Sequence, residues 1–120
     1  MATHIPANTP GYNQIIENEI EISSFDILKN LEISLDKSKS LYSATIDLES
    51  DDNNHYIRLF CYGICDFSIK LKYRAKHKIT GFEVRNVSKD GLEKINWEIL
   101  DYEGNEIHLF CEDMSVICYC

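Results

Sequence analysis

Hydrophobic and polar residues alternate along much of the chain. In the clearest run, 67–74, the apolar members are Phe67, Ile69, Leu71 and Tyr73, and the polar members are Ser68, Lys70, Lys72 and Arg74. A repeat of two residues is typical of a β-strand that buries one face. Shorter runs with the same repeat occur at 42–48, 82–84, 95–99 and 107–111. The pattern predicts a succession of short strands.

Residue types that favour turns separate these runs. Stretches rich in Ser, Asp, Asn, Gly or Lys occur at 37–40, 50–54, 90–91 and 103–105. Such residues support the backbone angles and local hydrogen bonds of turns. The last of these stretches predicts a tight hairpin that joins a strand at 94–102 to a strand at 106–112.

Two stretches depart from the simple alternation. Residues 56–64 are apolar on both faces, which predicts a central strand covered on each side. Residues 15–31 fit a helix about as well as two strands, and we favour strands. The fold class expected from these patterns is mainly β, an antiparallel β-sandwich or a partly open barrel, with one short helix near the N-terminus as an open alternative.

The domain organisation expected for these 120 residues is simple. Both prolines, Pro6 and Pro10, lie in the first ten residues beside Gly11, so residues 1–11 are predicted to form a flexible lead-in. No repeat, linker or low-complexity block follows, and the length suits a single core. We therefore expect one β domain over 12–120.

Export and membrane signals are missing from the sequence. The first ten residues, MATHIPANTP, contain no basic segment or long apolar run, and charged residues interrupt every later apolar stretch. Five cysteines, an odd number, occur at Cys61, Cys65, Cys111, Cys118 and Cys120. Reduced thiols are expected in this setting. These observations predict a soluble cytoplasmic protein that does not bind a membrane and is monomeric when free.

Charge is unevenly distributed along the chain. Ten acids and three lysines lie in 17–52, two acids and eight bases in 55–89, and eight acids and one lysine in 90–120. The formal net charge is -8, which argues against direct binding of nucleic acid, because phosphates require a dominant Lys and Arg surface. A basic protein partner fits the acidic segments better, although acidity by itself also serves solubility.

Motifs of catalysis and cofactor binding are missing. The sequence contains no GxSxG elbow, Walker loop, GxGxxG turn or HExxH pair, so we expect neither an enzyme nor a cofactor. Cys118 and Cys120 could chelate a metal together with Cys61, Cys65 or His108, but their spacing is not that of a zinc module. No metal site is predicted. A catalytic site assembled from distant residues remains the open alternative.

The run 81–116 contains the elements Gly81-Phe82, Ile95-Asn96-Trp97, Asp101-Tyr102-Glu103 and Leu109-Phe110-Cys111. This run resembles the ending of a group of small bacterial proteins, some of which accompany secreted polymorphic toxins as immunity proteins. Small size, acidity and the lack of catalytic motifs are also similar to immunity proteins of contact-dependent growth inhibition systems. The resemblance implies a protein that binds and neutralises a cognate toxin domain, often a nuclease.

The predicted hairpin supplies a candidate interface for such a partner. If Trp97 and Ile99 point inward, the alternate residues of both strands point outward. The predicted partner-binding residues are Glu98, Tyr102, Glu106, His108, Phe110, Glu112 and Asp113, and the reserve set is Asp47, Glu49, Asp51 and Asp52. A second sheet that covers Leu100 and Phe110 is an equally open interpretation. The alternative function is a small-ligand or carbohydrate-binding β module that stacks its ligand on exposed tyrosines.

Overall fold

The strands of the chain form one antiparallel sheet in the computed structural model, which describes residues 5–13, 25–50, 56–70, 82–88, 95–101 and 106–119. The strands are β1 (Phe25–Asp36), β2 (Leu41–Ser50), β3 (Tyr56–Ile69), β4 (Phe82–Asn86), β5 (Trp97–Asp101) and β6 (Ile107–Tyr119). Their order across the sheet is β1-β2-β3-β6-β5-β4, and β1 and β4 lie at opposite edges. The predicted mainly β class is confirmed, with the described strands in a single open sheet.

One face of the sheet carries the hydrophobic core. The register places Ile46 opposite Leu59 and Ile99 opposite Leu109, and all four side chains are fully buried. Burial of such a side chain contributes roughly 1.5–3 kcal/mol. Trp97 is also buried on this face, so the predicted inward orientation of Trp97 and Ile99 is confirmed.

The middle strand β3 pairs with β2 on one side and with β6 on the other, which confirms that 56–64 is a central strand. The strand is longer than expected, because it continues through a register shift between Ile64 and Asp66 to Ile69. An extra residue at such a bulge changes the phase of the alternation without ending the strand. The predicted run at 67–74 is therefore partly the end of β3, and 71–74 lies outside the described residues.

Strands β5 and β6 pair as the predicted hairpin requires, and a buried carboxylate links their adjoining ends, whereas 102–105 lies outside the described residues. Asp101 accepts hydrogen bonds from the backbone N–H groups of Glu106, at 2.8 Å, and Ile107, at 2.6 Å. Strand β6 extends to Tyr119, beyond the expected 106–112. Within the ambiguous stretch 15–31, residues from Phe25 onward belong to β1, as the strand interpretation predicts, and 14–24 lie outside the described residues.

The segment 5–13 packs against the sheet. Ile5 and Thr9 are each only 3% exposed, and the backbone N–H of Val116 donates to the carbonyl of Pro10 at 2.9 Å. Gly11 has a φ of 91° and lies so close to Val116 that a Cβ would collide with its carbonyl oxygen. Residues 5–11, which the sequence predicts as a flexible lead-in, thus contact β6 in the structure. In the described part of the chain, no helix is long and apolar enough to cross a membrane.

Candidate functional site

The acidic hairpin surface predicted from the sequence has part of its charge engaged within the protein. The Glu98 carboxylate lies 2.7 Å from Nε2 of His108 and 3.5 Å from a terminal guanidinium nitrogen of Arg85. Its side chain is only 14% exposed. A carboxylate held by two neighbours in this way is poorly placed to bind a third group.

Other predicted hairpin residues differ in exposure. Glu106 is buried, with 9% of its surface exposed, and the half-buried ring of Phe110 lies 5.0 Å from the ring of His108. The structure therefore brings Glu98, His108 and Phe110 together on the outer face of the sheet. Tyr102 lies outside the described residues.

The reserve acidic surface is also largely engaged. Asp47 is 3% exposed and receives two hydrogen bonds from Arg58, at 2.7 and 3.0 Å. The hydrogen bond to Asp47 raises the pKa of Arg58. Glu49 lies 3.7 Å from the ammonium group of Lys29. Asp51 and Asp52 lie outside the described residues.

Aromatic rings surround the Arg58 guanidinium on the outer face. The guanidinium carbon lies 5.5 Å from the ring centroid of Tyr119 and 6.0 Å from that of Phe60. Tyr119 stacks on Tyr56 at 4.7 Å, and the Lys29 ammonium lies 4.2 Å from the centroid of Tyr56. This arrangement holds two cations against aromatic faces, a recognised favourable contact.

A cleft of about 250 Å³ lies between the turn of the β1–β2 hairpin and the middle of the sheet. We call it the hairpin cleft. Its hairpin side is lined by Asp36, Lys39, Leu41, Tyr42 and Ser43. Its sheet side is lined by Tyr62, Gly63, Glu112 and Asp113. Glu112 and Asp113 are thus the members of the predicted interface that line this cleft.

The cleft forms where two neighbouring strands stop pairing. The ladder between β2 and β3 ends at Ser43 and Tyr62, whereas β2 continues to pair with β1 as far as Leu41 and β3 continues along β6. The hairpin tip and the central strands therefore separate beyond Ser43. The space between them is open to solvent.

Gly63 forms part of the sheet side of the cleft, and the absence of a side chain there is necessary. It adopts a φ of 67°, and a Cβ at this position would collide with the carboxylate of Glu112. Glycine tolerates both the positive φ and the close approach. The Glu112 carboxylate consequently rests over the backbone of β3.

The lining of the hairpin cleft combines exposed aromatic rings with negative charge. Tyr42 is 49% exposed and Tyr62 is 54% exposed. Three carboxylates, from Asp36, Glu112 and Asp113, face one lysine in the lining. The hydrogen bond from the Ser38 hydroxyl, at 2.7 Å, lowers the pKa of Asp36.

An isolated glycine was the one signal of the cleft in the sequence, and the pattern of acids did not indicate the cleft. Gly63 stands alone within the apolar stretch 56–64, and an isolated glycine in a strand often marks a bulge or a close approach. The exposure of Tyr62 could not be read from alternation, because a strand expected to be covered on both faces leaves no exposed ring. The expectation of cover on both faces was wrong, because β3 buries only the face of Ile57, Leu59 and Cys61, and Tyr62 lies on the opposite face.

The thiols of the described residues do not gather into a metal site. Cys61 and Cys111 are buried in the core, Cys65 is exposed and Cys118 is half-buried. A hydrogen bond to Cys111 and burial both raise the pKa of Cys61. Among residues that the structure describes, no three His, Cys, Asp or Glu side chains are placed to share a metal ion.

Function is inferred here from the geometry and charge of the surface. The chain was compared with protein-family models, with curated proteins and with solved structures, and none of the three comparisons gave a match.

Proposed function

We propose that this chain is an immunity protein that binds and neutralises a basic toxin domain, with a nuclease as the expected toxin. The observation that carries the proposal is the hairpin cleft, in which exposed tyrosines and negative charge lie side by side on the surface. Aromatic rings beside charged groups are common at the centres of protein interfaces. The resemblance of 81–116 to proteins that accompany toxins supports the same class of function.

The charge of the protein suits this partner. A nuclease must bind phosphate, so the surface around its active site is positively charged. An acidic protein with a net charge of -8 is attracted to such a surface over a distance set by the ionic strength. Carboxylates can then take the place of the phosphates of the substrate. The proposed location of this encounter is the cytoplasm, and the free protein is proposed to be monomeric.

The experiment first identifies the protein that copurifies with this chain and then uses its toxin domain. Cells that express the toxin alone should stop growing, and cells that also express this chain should grow. Purified chain should abolish cleavage of RNA or DNA by the toxin, and their association rate should fall as salt rises. Growth arrest that persists despite a soluble, folded chain would contradict the immunity function.

A second candidate function is favoured by the exposure of Tyr42 and Tyr62. An exposed tyrosine that lines a small cleft is also suited to stacking against a sugar ring. Neutral mono- and disaccharides should then perturb the tyrosine signals in nuclear magnetic resonance (NMR) spectra, with little dependence on salt. A basic protein partner instead predicts strong dependence on salt.

A further inference from the structure

We propose that the hairpin cleft binds an arginine side chain of the partner protein, with its guanidinium against the Tyr62 ring and the carboxylates of Glu112 and Asp113. This proposal rests on the proposed function, because it identifies the group of the basic partner that the cleft recognises. It also moves the centre of the interface away from Glu98 and Glu106 toward the β1–β2 hairpin.

The acids of the outer surface differ in whether a basic side chain of the protein already neutralises them. Asp47, Glu49 and Glu98 each lie within 4 Å of a basic side chain of the protein itself. In the ranges that the structure describes, no ion pair joins Glu112 or Asp113 to a basic residue. Their carboxylates therefore retain their capacity to bind an external cation.

The size of the cleft suits one side chain of a partner. A volume of about 250 Å³ lies below the roughly 300–1,000 Å³ of pockets that enclose a drug-sized ligand. A single long side chain is a better match for this space. Because Gly63 contributes no side chain, the Glu112 carboxylate can rest against the backbone of β3, where it lines the cleft.

The outer face of the same sheet already holds an arginine against a carboxylate and aromatic rings. Arg58 donates two hydrogen bonds to Asp47 and lies against the rings of Tyr119 and Phe60. The hairpin cleft presents the same two components, carboxylates and an exposed aromatic ring, and its one basic lining residue, Lys39, interacts with Asp36. The planar guanidinium suits both a carboxylate and a ring face better than the compact ammonium of lysine does.

The direct test titrates the full chain with the peptide acetyl-Gly-Arg-Gly-amide and follows backbone NMR signals. Signals of Tyr42, Tyr62, Gly63 and Asp113 should shift in a saturable way. The matched probe replaces arginine with citrulline, which keeps the shape of the side chain but removes its charge. Equal shifts with citrulline, or arginine-induced shifts elsewhere in the sheet, would overturn the proposal.

Paired variants separate the cleft from general acidity. The double variant Glu112→Gln/Asp113→Asn removes two cleft charges, and Glu32→Gln/Asp66→Asn removes two charges from exposed residues of β1 and β3 outside the cleft. The first should weaken peptide binding about tenfold or more, because charge-assisted hydrogen bonds are lost. The second should retain most of the affinity. Equal effects of the two variants would show that bulk charge alone attracts the peptide.

A second pair tests the aromatic component. Tyr62→Ala should weaken arginine binding, whereas Phe67→Ala, at another exposed aromatic residue of β3, should not. If both variants bind like the unaltered protein, the stacking part of the proposal is wrong. Spectra of each variant report directly whether the sheet remains folded.

The toxin assay distinguishes failure of the cleft from failure of the immunity function. If the chain neutralises the toxin and Glu112→Gln/Asp113→Asn neutralises it equally well, the function stands and the cleft proposal fails. If the arginine peptide binds the cleft but the chain leaves the toxin active, the cleft stands as a cation site and the immunity function fails. Loss of neutralisation in the cleft variants alone supports both.

Discussion

Arg58 and Asp47 form a two-point ion pair across β2 and β3, with Nε to Oδ1 at 2.7 Å and the second nitrogen to Oδ2 at 3.0 Å. Asp47 is nearly buried, whereas the Arg58 side chain is about one third exposed. Parallel hydrogen bonds between a guanidinium and a carboxylate fix orientation as well as charge. The pair therefore aligns two central strands and is not available to a partner.

This pair predicts a contrast between two acids of β2. Asp47→Asn should lower the urea midpoint of unfolding clearly more than Glu49→Gln, because the Glu49 pair is longer, at 3.7 Å, and more exposed. Toxin neutralisation should be unchanged in both variants when measured on folded protein. Equal urea midpoints for the two variants would contradict a structural role for the Asp47 pair.

Asp101 predicts a specific dependence of stability on pH. Burial raises its pKa above the ordinary value of 3.8, against the effect of its backbone hydrogen bonds. The folded state then binds the proton more tightly than the unfolded state, so this group's contribution to stability falls as pH rises from about 3.8 to the raised pKa. The free energy of unfolding of the unaltered protein minus that of Asp101→Asn should therefore decrease over this pH range and then become constant. Urea unfolding at a series of pH values measures this difference.

The comparison must also remove the neighbouring acid. Glu106 interacts with Asp101 and contributes to raising its pKa. Repeating the series in a Glu106→Gln background should leave the direction of the slope unchanged. If the difference in free energy of unfolding grew with pH in both backgrounds, Asp101 would not be the group that causes the pH dependence.

The thiols should react at very different rates in the folded protein. Cys65 is exposed, whereas Cys61 and Cys111 are buried and the pKa of Cys61 is raised. Because alkylation requires an accessible thiolate, iodoacetamide should modify Cys65 at least about tenfold faster than the two buried residues. Peptide mass spectrometry over time measures this order. If Cys61 were modified as fast in native buffer as in urea, its buried position would be contradicted.

Gly63 links the stability of the sheet to the shape of the hairpin cleft. Gly63→Ala should cost roughly 1–3 kcal/mol, because alanine disfavours a positive φ and its Cβ displaces the Glu112 carboxylate. It should also weaken binding of the arginine peptide. Ser68→Ala, at an exposed position of the same strand, is the control and should change stability by less than about 0.5 kcal/mol. If folded Gly63→Ala binds the peptide as tightly as the unaltered protein does, Gly63 does not determine the shape of the cleft.

The sequence predicted the parts of the fold that depend on local alternation. Trp97 and Ile99 point inward, because a repeat of two residues directly reports which face is buried, and 56–64 is central, as its lack of alternation predicted. The continuation of β3 past Cys65 was missed, because a bulge shifts the phase of the repeat and resembles the start of a new strand. Periodicity contains no information on strand order, so the place of β6 beside β3 could not be predicted.

The candidate site was predicted only in part, for a related reason. Glu112 and Asp113 belong to the predicted interface and line the cleft, but Glu98 is held by Arg85 and His108. Outward alternation identifies a face and does not identify the partners that a side chain meets across strands. Tyr42 and Asp36 were not in the predicted set, because they reach the cleft through the β1–β2 turn, far from Glu112 in sequence.

The separation of β2 from β3 beyond Ser43 also bears on how this surface can diverge between related proteins. Residues of the hairpin tip, such as Leu35, Leu41 and Tyr42, are exposed and contribute little to the buried face. Substitutions there alter what the cleft admits while leaving the packed strands intact. A lineage could therefore exchange one binding specificity for another through a few changes in this arm, without having to rebuild its scaffold.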